Sequence, residues 1–220
     1  MERQLIHTED GSHTLYVPEI KEHFHSIHGA VQESKHVFIE NGLQQCPKDE
    51  LTILEIGFGT GLNALLTLMY KGPKIIHYFG IEKYPLAENE FKRLNYPEQL
   101  GENLKGPFLK IHECLWNQAI AIVPGFQLTK VEADLPDFDF SELPPIDLIY
   151  FDAFAPDKQP EMWQEAIFAK IAQNTVSGGR FVTYCAKGEV RRALIRCGFK
   201  MQRLPGPPGK KEMLSGDKIQ

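Results

Sequence analysis

Glu55-Ile56-Gly57-Phe58-Gly59-Thr60-Gly61, Glu82 and Asp152 are the residues whose types and spacing could do chemistry. Three glycines at alternate positions join an apolar, strand-like run (53–56) to a helix-like run (62–70). Without a Cβ, such a turn lets backbone N–H groups approach a ligand closely, and positive φ costs little. The helix start behind it favours an anion. A dinucleotide loop would read G-x-G-x-x-G, but the sixth position is Leu62, and Glu55 stands where a pyrophosphate would be repelled. An acid followed by G-x-G-x-G suits a cofactor with a cationic ammonium and a single carboxylate. An ordinary strand-to-helix turn is the competing reading. Glu82 closes the next apolar run (75–82), about 20 residues beyond the glycines, where a carboxylate accepts both ribose hydroxyls of a nucleoside.

Asp152 ends the run 145–152, which is apolar at almost every position, as a central parallel strand must be. A rigid loop with Pro156 and Pro160 follows, then a helix expected from Glu161. Ligands of open α/β sheets bind at the carboxyl ends of the strands, so Asp152 is expected to face the same crevice as residues 57–61. A strand-end cap is the alternative role for it.

The elements that must position these residues alternate along most of the chain. Strands are expected at 53–56, 75–82, 126–134, 145–152, 180–184, 199–204 and 212–215, and helices at 62–70, 85–104, 108–123, from Glu161, and 187–197. Residues 177–179 read as a turn. Residues 1–45 stand outside this alternation: 14–17 and 22–25 form a hairpin and Gly29 opens a helix that stops at Asn41-Gly42. This part is expected to cap the domain formed by residues 46–220. Six of the eight histidines lie in it, and His23 and His25 share a strand face. Spacing supplies no third ligand, so no metal is expected.

The stretch from Glu55 to Asn63 resembles the first motif of the class I S-adenosylmethionine methyltransferases. The phrase Phe151-Asp152-Ala153-Phe154-Ala155-Pro156-Asp157-Lys158-Gln159-Pro160-Glu161-Met162-Trp163 is more specific and resembles the signature of the MnmC-type tRNA methyltransferases. So do residues 29–38 and 183–213, and together these stretches cover nearly the full chain. The resemblance implies an α/β, Rossmann-like class I methyltransferase fold, with a mostly parallel seven-stranded sheet whose last strand is antiparallel. It implies S-adenosyl-L-methionine as cofactor, held by Glu55, Gly57, Phe58, Gly59, Gly61, Asn63 and Glu82, with Asp134 at the adenine amino group. The implied reaction methylates the primary amine of 5-aminomethyl-(2-thio)uridine at the tRNA wobble position, giving the 5-methylaminomethyl form. Bifunctional members carry an FAD-dependent oxidase that exposes this amine; with no second glycine fingerprint, the chain is expected to be the stand-alone form, served by a separate enzyme.

A primary alkylamine titrates near about 10 and an unperturbed aspartate near about 4, so Asp152 is a poor terminal base. Its expected role is to bind and orient the ammonium group. Phe154 and Trp163 are candidates to stack a splayed-out uracil, or else belong to the core. Lys158, Lys187, Arg191 and Lys210 are candidates for the phosphates of the anticodon loop.

Composition narrows the class. The hydrophobic share of 42% and charged share of 24% are those of an ordinary globular protein. No apolar run reaches transmembrane length and no signal-peptide core follows Met1, so the cytoplasm is the expected address. Cys46, Cys114, Cys185 and Cys197 are too far apart for a C-x-x-C site. The net charge of -5 is unevenly distributed: from Arg180 to Lys218, ten Lys and Arg against three acids give +7, leaving -12 elsewhere. A basic end on an acidic protein can localise contact with phosphate, whereas the acidic total favours a small-molecule amine as the alternative substrate.

Overall fold

The computed structural model describes residues 2–219. Three short antiparallel strands open the chain, β1 (Gln4–His7), β2 (His13–Val17) and β3 (Glu22–His23). Helix α1 (Ala30–Ser34) then runs directly into a π-helical turn, Lys35–Glu40. Next come β4 (Glu50–Ile56), α2 (Leu62–Tyr70), β5 (Ile75–Glu82), α3 (Glu88–Phe91), α4 (Tyr96–Leu100) and α5 (Lys105–Glu113). The rest of the chain forms β6 (Ala119–Val123), β7 (Phe126–Glu132), β8 (Ile146–Phe151), α6 (Glu165–Asn174), β9 (Thr175–Thr183), α7 (Gly188–Arg196), β10 (Phe199–Pro205) and β11 (Glu212–Lys218).

The large sheet has the order β10-β11-β9-β8-β4-β5-β7-β6. Pairings from β9 through β7 are parallel, while β6 is antiparallel to β7 and β11 is antiparallel to both β9 and β10. From β4 the chain passes through α2 to β5 on one side, and β8 joins β4 on the other. The order therefore reverses at β4, and a crevice opens beyond its carboxyl end.

Period-two alternation explains how β4 is held. Leu51 and Ile53 join one core cluster with α2, Tyr78 and Phe108; Leu54 and Ile56 join the other with α6 and α7. All four are buried, each such side chain contributing about 1.5–3 kcal/mol, so both faces of this strand are covered as in other parallel sheets. Glu55 points to the α2 face together with Leu51 and Ile53.

The α/β fold with its mostly parallel sheet matches the expectation, but the sheet has eight strands rather than seven. The helix expected over 108–123 ends with α5 at Glu113, Asn117 turns at φ 58, and the β-branched Ile120 and Val123 pair against β7 instead, with Ile122 at an irregularity in the register between them. The helix expected over 85–104 is broken into α3, α4 and a 3₁₀ turn, because Pro97 starts a new helix and Gly101 (φ 136) ends it. The turn at 177–179 is an irregularity within β9, where Gly178 takes φ 76 and the register with β8 shifts. Residues 160–163 form a 3₁₀ turn, and α6 starts only at Glu165. The hairpin expected near the start gains β1, whose short Leu5-Ile6 pair gave little periodic signal. Among the described residues, no helix is long and apolar enough to cross a membrane.

Candidate active site

Each glycine of the loop after β4 sits at positive φ: Gly57 at 84, Gly59 at 49 and Gly61 at 68. The amides of Gly57 and Phe58 both donate to the Ile81 carbonyl, at 3.0 and 3.1 Å, which ties the loop to the end of β5. Gly59 N donates to Glu82 Oε2 at 3.0 Å, and Tyr84 N donates to Glu82 Oε1 at 2.8 Å. A Cβ on Gly57 would stand 2.7 Å from the Asp152 carbonyl oxygen, so the glycine is what lets the loop lie against the end of β8.

These contacts leave an open crevice along the carboxyl edge of the sheet. Its walls include Gly57, Phe58, Gly59, Glu82, Asp134, Asp152 and Phe154, so seven of the residues singled out in the sequence converge there. Asp134, just past β7, is half-buried and paired with Lys83. Ala133, Leu135 and Met162 provide an apolar flank beside it.

Glu55, Gly61 and Asn63 do not reach that wall. Glu55 is fully buried, with Oε1 accepting from Asn63 Nδ2 and Oε2 accepting from the Tyr78 hydroxyl, both at 2.8 Å. Burial pushes its acid well above the usual carboxylate range, against the two hydrogen bonds that lower it. A direct cofactor contact by Glu55 is thereby corrected to a place behind the loop. Asn63 Nδ2 also donates to Asp152 Oδ2 at 2.8 Å, so one amide bridges two acids. Gly61 begins α2 with its Cα face against His112 and Ile111.

Asp152 sits where two recesses meet. The crevice lies on one side; on the other is a second recess lined by Glu22, His23, His25, Glu33, Tyr184 and Lys210. Phe24 and Phe154, edge to face at 5.1 Å between ring centres, belong to both. Burial, then the charge of Glu33, raises the Asp152 acid well above its ordinary value, while Asn63 and Lys210 act to lower it. His25 is shared by both recesses; its Nε2 is 2.8 Å from Thr60 Oγ1, and burial drives its pKa down to about 4, leaving the ring neutral near pH 7.

The substrate candidates divide by the direction in which they point. Trp163 is 7% exposed, donates Nε1–H to the Phe154 carbonyl at 2.8 Å and lies 4.7 Å from the Phe151 ring, so it braces the core instead of offering a face. Lys158 turns back to the Ile20 and Lys21 carbonyls, at 2.9 and 3.4 Å. Lys210 turns inward to Glu33 Oε1 at 2.5 Å. Trp163 thus takes the core reading of its two, and Lys158 and Lys210 turn their ammonium groups onto acceptors within the protein instead of outward, as expected of phosphate contacts. Lys187 pairs with the exposed Asp157 at the rim, and Arg191 is half-buried on α7. His23 and His25 do not share a strand: β3 ends at His23, which packs on Tyr16 with 4.7 Å between ring centres. Among the described residues, no group of three or more His, Cys, Asp or Glu could hold a metal ion.

Sequence reasoning missed Arg3, Phe24, His25 and Glu33 as site residues. Arg3 lines the crevice, donates to Glu90 Oε2 at 2.8 Å and stands 5.8 Å over the Phe24 ring. No local pattern marks it, because it reaches the site only when β1 folds beside Tyr84 and Pro85. Glu33 could have been found as an acid on the buried stripe of the helix-like run.

Residues 112–219 match a family described as S-adenosyl-L-methionine-dependent methyltransferase. The tRNA 5-methylaminomethyl-2-thiouridine biosynthesis bifunctional protein MnmC of Pseudoalteromonas atlantica is 32% identical over 216 residues, taking in 88% of this chain and 30% of that protein. The protein of the same name from Burkholderia mallei is 33% identical over 235 residues, with 97% of this chain and 35% of that protein covered. The chain thus spans about a third of the length of these curated relatives. The crystal structure of MnmC2 from Aquifex aeolicus superposes with a TM-score of 0.81 at 24% identity, over 98% of this chain and 70% of that one, and so shares the fold. The chain belongs to the S-adenosyl-L-methionine-dependent methyltransferases.

Proposed function

We propose that the protein transfers the methyl group of S-adenosyl-L-methionine to the primary amine of 5-aminomethyl-(2-thio)uridine at the wobble position of tRNA. The observation that carries this reading is the position of Asp152, at the end of β8 and common to two recesses. One recess suits a nucleoside cofactor and the other an amine. The choice of a tRNA amine over a small-molecule amine rests on the names of the relatives and on the basic segment from Arg180 to Lys218.

The crevice fits the cofactor in its donors and in its shape. Gly57 and Gly59 keep side chains out of a cradle that a Cβ at either would crowd, against Asp152 or Phe24. Glu82 offers carboxylate lone pairs to ribose hydroxyls, and Asp134 accepts from the adenine amino group, with Leu135 and Met162 as the apolar flank. Glu55 and Asn63 support the loop from behind. When bound, the cofactor supplies an electrophilic methyl on a sulfonium. Residues 1–45, bringing Arg3, Phe24, His25 and Glu33, serve as the cap over the site.

In the second recess Asp152 binds the incoming ammonium and aims its nitrogen along the line of transfer. That alignment accounts for several kcal/mol of the barrier. The nitrogen can attack only after losing a proton. Burial raises Asp152 and so narrows the gap of roughly six pH units between carboxylate and alkylamine, easing the proton's departure through it to water. Phe154 and Phe24 provide the aromatic walls against which an unpaired base packs. Lys187 and Arg191, on the rim and on α7, remain the phosphate contacts.

This reading requires a separate activity to generate the aminomethyl group, and it puts the protein with tRNA in the cytoplasm. Incubation with hypomodified tRNA and methyl-labelled cofactor, followed by nucleoside analysis, is the test. Label in 5-methylaminomethyl-(2-thio)uridine is the expected result. Label absent from tRNA but present in free amines would replace tRNA with a small-molecule substrate.

A further inference from the structure

The second recess already seats one alkylammonium group, the protein's own. Lys210, on the loop between β10 and β11, places its ammonium 2.5 Å from Glu33 Oε1 and 3.9 Å from the centre of the Tyr184 ring, a carboxylate beside an aromatic face. Its only hydrogen bond among the described residues is to Glu33. Glu33 is anchored independently of it: Ser26 N donates to the other carboxylate oxygen, Oε2, at 2.7 Å, and the side chain is 7% exposed against 33% for Lys210. The carboxylate is therefore a fixed part of the recess, and the lysine reaches it from a loop.

The charge balance of the recess is negative. Glu22 of β3, Glu33 of α1 and Asp152 after β8 line it, and among the described residues around it Lys210 is the one lysine or arginine. His23 packs on Tyr16, the buried His25 is neutral, and burial keeps the Tyr184 phenol protonated. Even with Asp152 protonated, Glu22 and Glu33 outnumber Lys210. After burial, the charge of Glu33 is the strongest influence on both Asp152 and His25, and Lys210 opposes it less strongly at each. The ion pair thus leaves a net negative field where the two recesses meet.

We propose that Glu33 is the specificity residue of this recess: its carboxylate, fixed by Ser26 and only partly offset by Lys210, draws in an acceptor whose substituent carries an ammonium and gives no such gain to a neutral one. The inference rests on the proposed methylation of a tRNA amine at the same site and deepens it. A primary alkylamine, titrating near about 10, arrives at neutral pH as the ammonium. That is the group Lys210 carries, so the pairing of Lys210 with Glu33 and Tyr184 displays the contacts such an acceptor finds. Glu33 governs which acceptors enter, and Asp152 aims the nitrogen once inside. Specificity of this kind is a difference between two affinities, and a fixed charge changes one of them only.

The test is equilibrium binding, in the presence of S-adenosylhomocysteine so that no transfer occurs, of tRNA carrying either 5-aminomethyluridine or the neutral 5-hydroxymethyluridine at the wobble position. The ratio of the two affinities cancels contacts to the tRNA backbone, which both share. The wild type is expected to prefer the amine by about tenfold or more. Glu33→Gln, made together with Lys210→Met so that no unpaired ammonium is left behind, should lower this preference by about tenfold. Lys210→Met alone removes the opposing charge and keeps Glu33, so it should raise the preference by about threefold or more. Calorimetric binding of S-adenosyl-L-methionine, unchanged in both variants, certifies that they are folded.

An unchanged ratio in the double variant overturns the proposal. So does a fall in Lys210→Met, which would make the ion pair a strut. Should the double variant fail to bind cofactor, Lys210→Met decides alone, and a ratio that does not rise overturns the proposal. Methylation of the aminomethyl tRNA by the wild type is checked first: its absence removes the underlying function and the inference with it, whereas methylation with unchanged ratios removes the inference alone.

Discussion

Asn63 donates one amide hydrogen to Asp152 Oδ2 and the other to Glu55 Oε1, each at 2.8 Å. Its Oδ1 has no partner, although the side chain is buried at the start of α2. One amide thus couples the acid shared by the two recesses to the buried acid behind the glycine loop. Removing it leaves two burial-raised carboxyl groups without their common donor. Asn63→Ala is expected to lower stability by about 1–3 kcal/mol, the usual cost of a buried polar group losing its partner. It should also slow methyl transfer at least about tenfold, because Asp152 loses the bond that fixes its carboxylate. Urea unfolding with single-turnover rates measures both; turnover within twofold of wild type would make the bridge merely structural.

Asp152 itself separates binding from chemistry. Its carboxylate lies at the boundary of the two recesses, whereas the donors assigned to the cofactor come from the glycine loop and β5. Asp152→Ala should keep cofactor affinity within a few-fold and lose about two orders of magnitude or more in turnover. Cofactor calorimetry and labelled-methyl kinetics on the same preparation check this, and near-normal turnover would remove Asp152 from the mechanism.

Gly57 tests the contact between loop and strand. Its φ of 84 strains any other residue, and the added Cβ would meet the Asp152 backbone carbonyl at 2.7 Å, a neighbour that cannot swing away. Gly57→Ala is expected to weaken cofactor binding by about tenfold or more, since the strain and the forced displacement together cost about 1–3 kcal/mol at the loop. Gly72→Ala is the control: it shares the strain of a positive φ (57), but nothing lies within 4 Å of its Cβ. Equal cofactor affinity in the two variants would mean that the close approach at Gly57 does not matter for binding.

The division between what was legible and what was not follows from the range of the interactions. Gly57, Glu82 and Asp152 could be read because each lies at the carboxyl end of a buried strand, and a run of Ile, Leu, Tyr and Phe announces such a strand locally. β6 was misread because a short, half-exposed edge strand carries little alternation; pairing with β7 settles its form. Lys158 and Lys210 were misassigned because charge can be counted in a sequence whereas direction cannot. Both reach back to residues more than a hundred positions away, Ile20 and Glu33. Arg3 and His25 enter the site through the same long-range closure, which no periodicity encodes.

His25 gives the fold a predictable weakness toward acid. It is buried, touches Thr60 Oγ1 through Nε2, and its pKa falls from 6.5 to about 4 through burial. A depressed histidine stabilises the native state while both states are neutral, above about pH 6.5; the stabilisation is lost as pH falls toward 4, since only the unfolded chain takes up the proton freely. His112, lowered to about 3 by burial, acts in the same direction over the same window and below it. Glu55 and Asp152, raised by burial, act oppositely: they favour the native state at low pH and weaken it as pH rises through their raised values. At one proton and about 1.4 kcal/mol per pH unit, His25 alone should remove about 2 kcal/mol between about pH 6.5 and about pH 5. His25→Gln keeps a group able to bond Thr60 but has no proton to gain, so its stability should fall about 2 kcal/mol less than that of the wild type over this interval. Urea unfolding at the two pH values decides the matter: parallel losses would mean that His25 is already solvated enough to protonate within the fold.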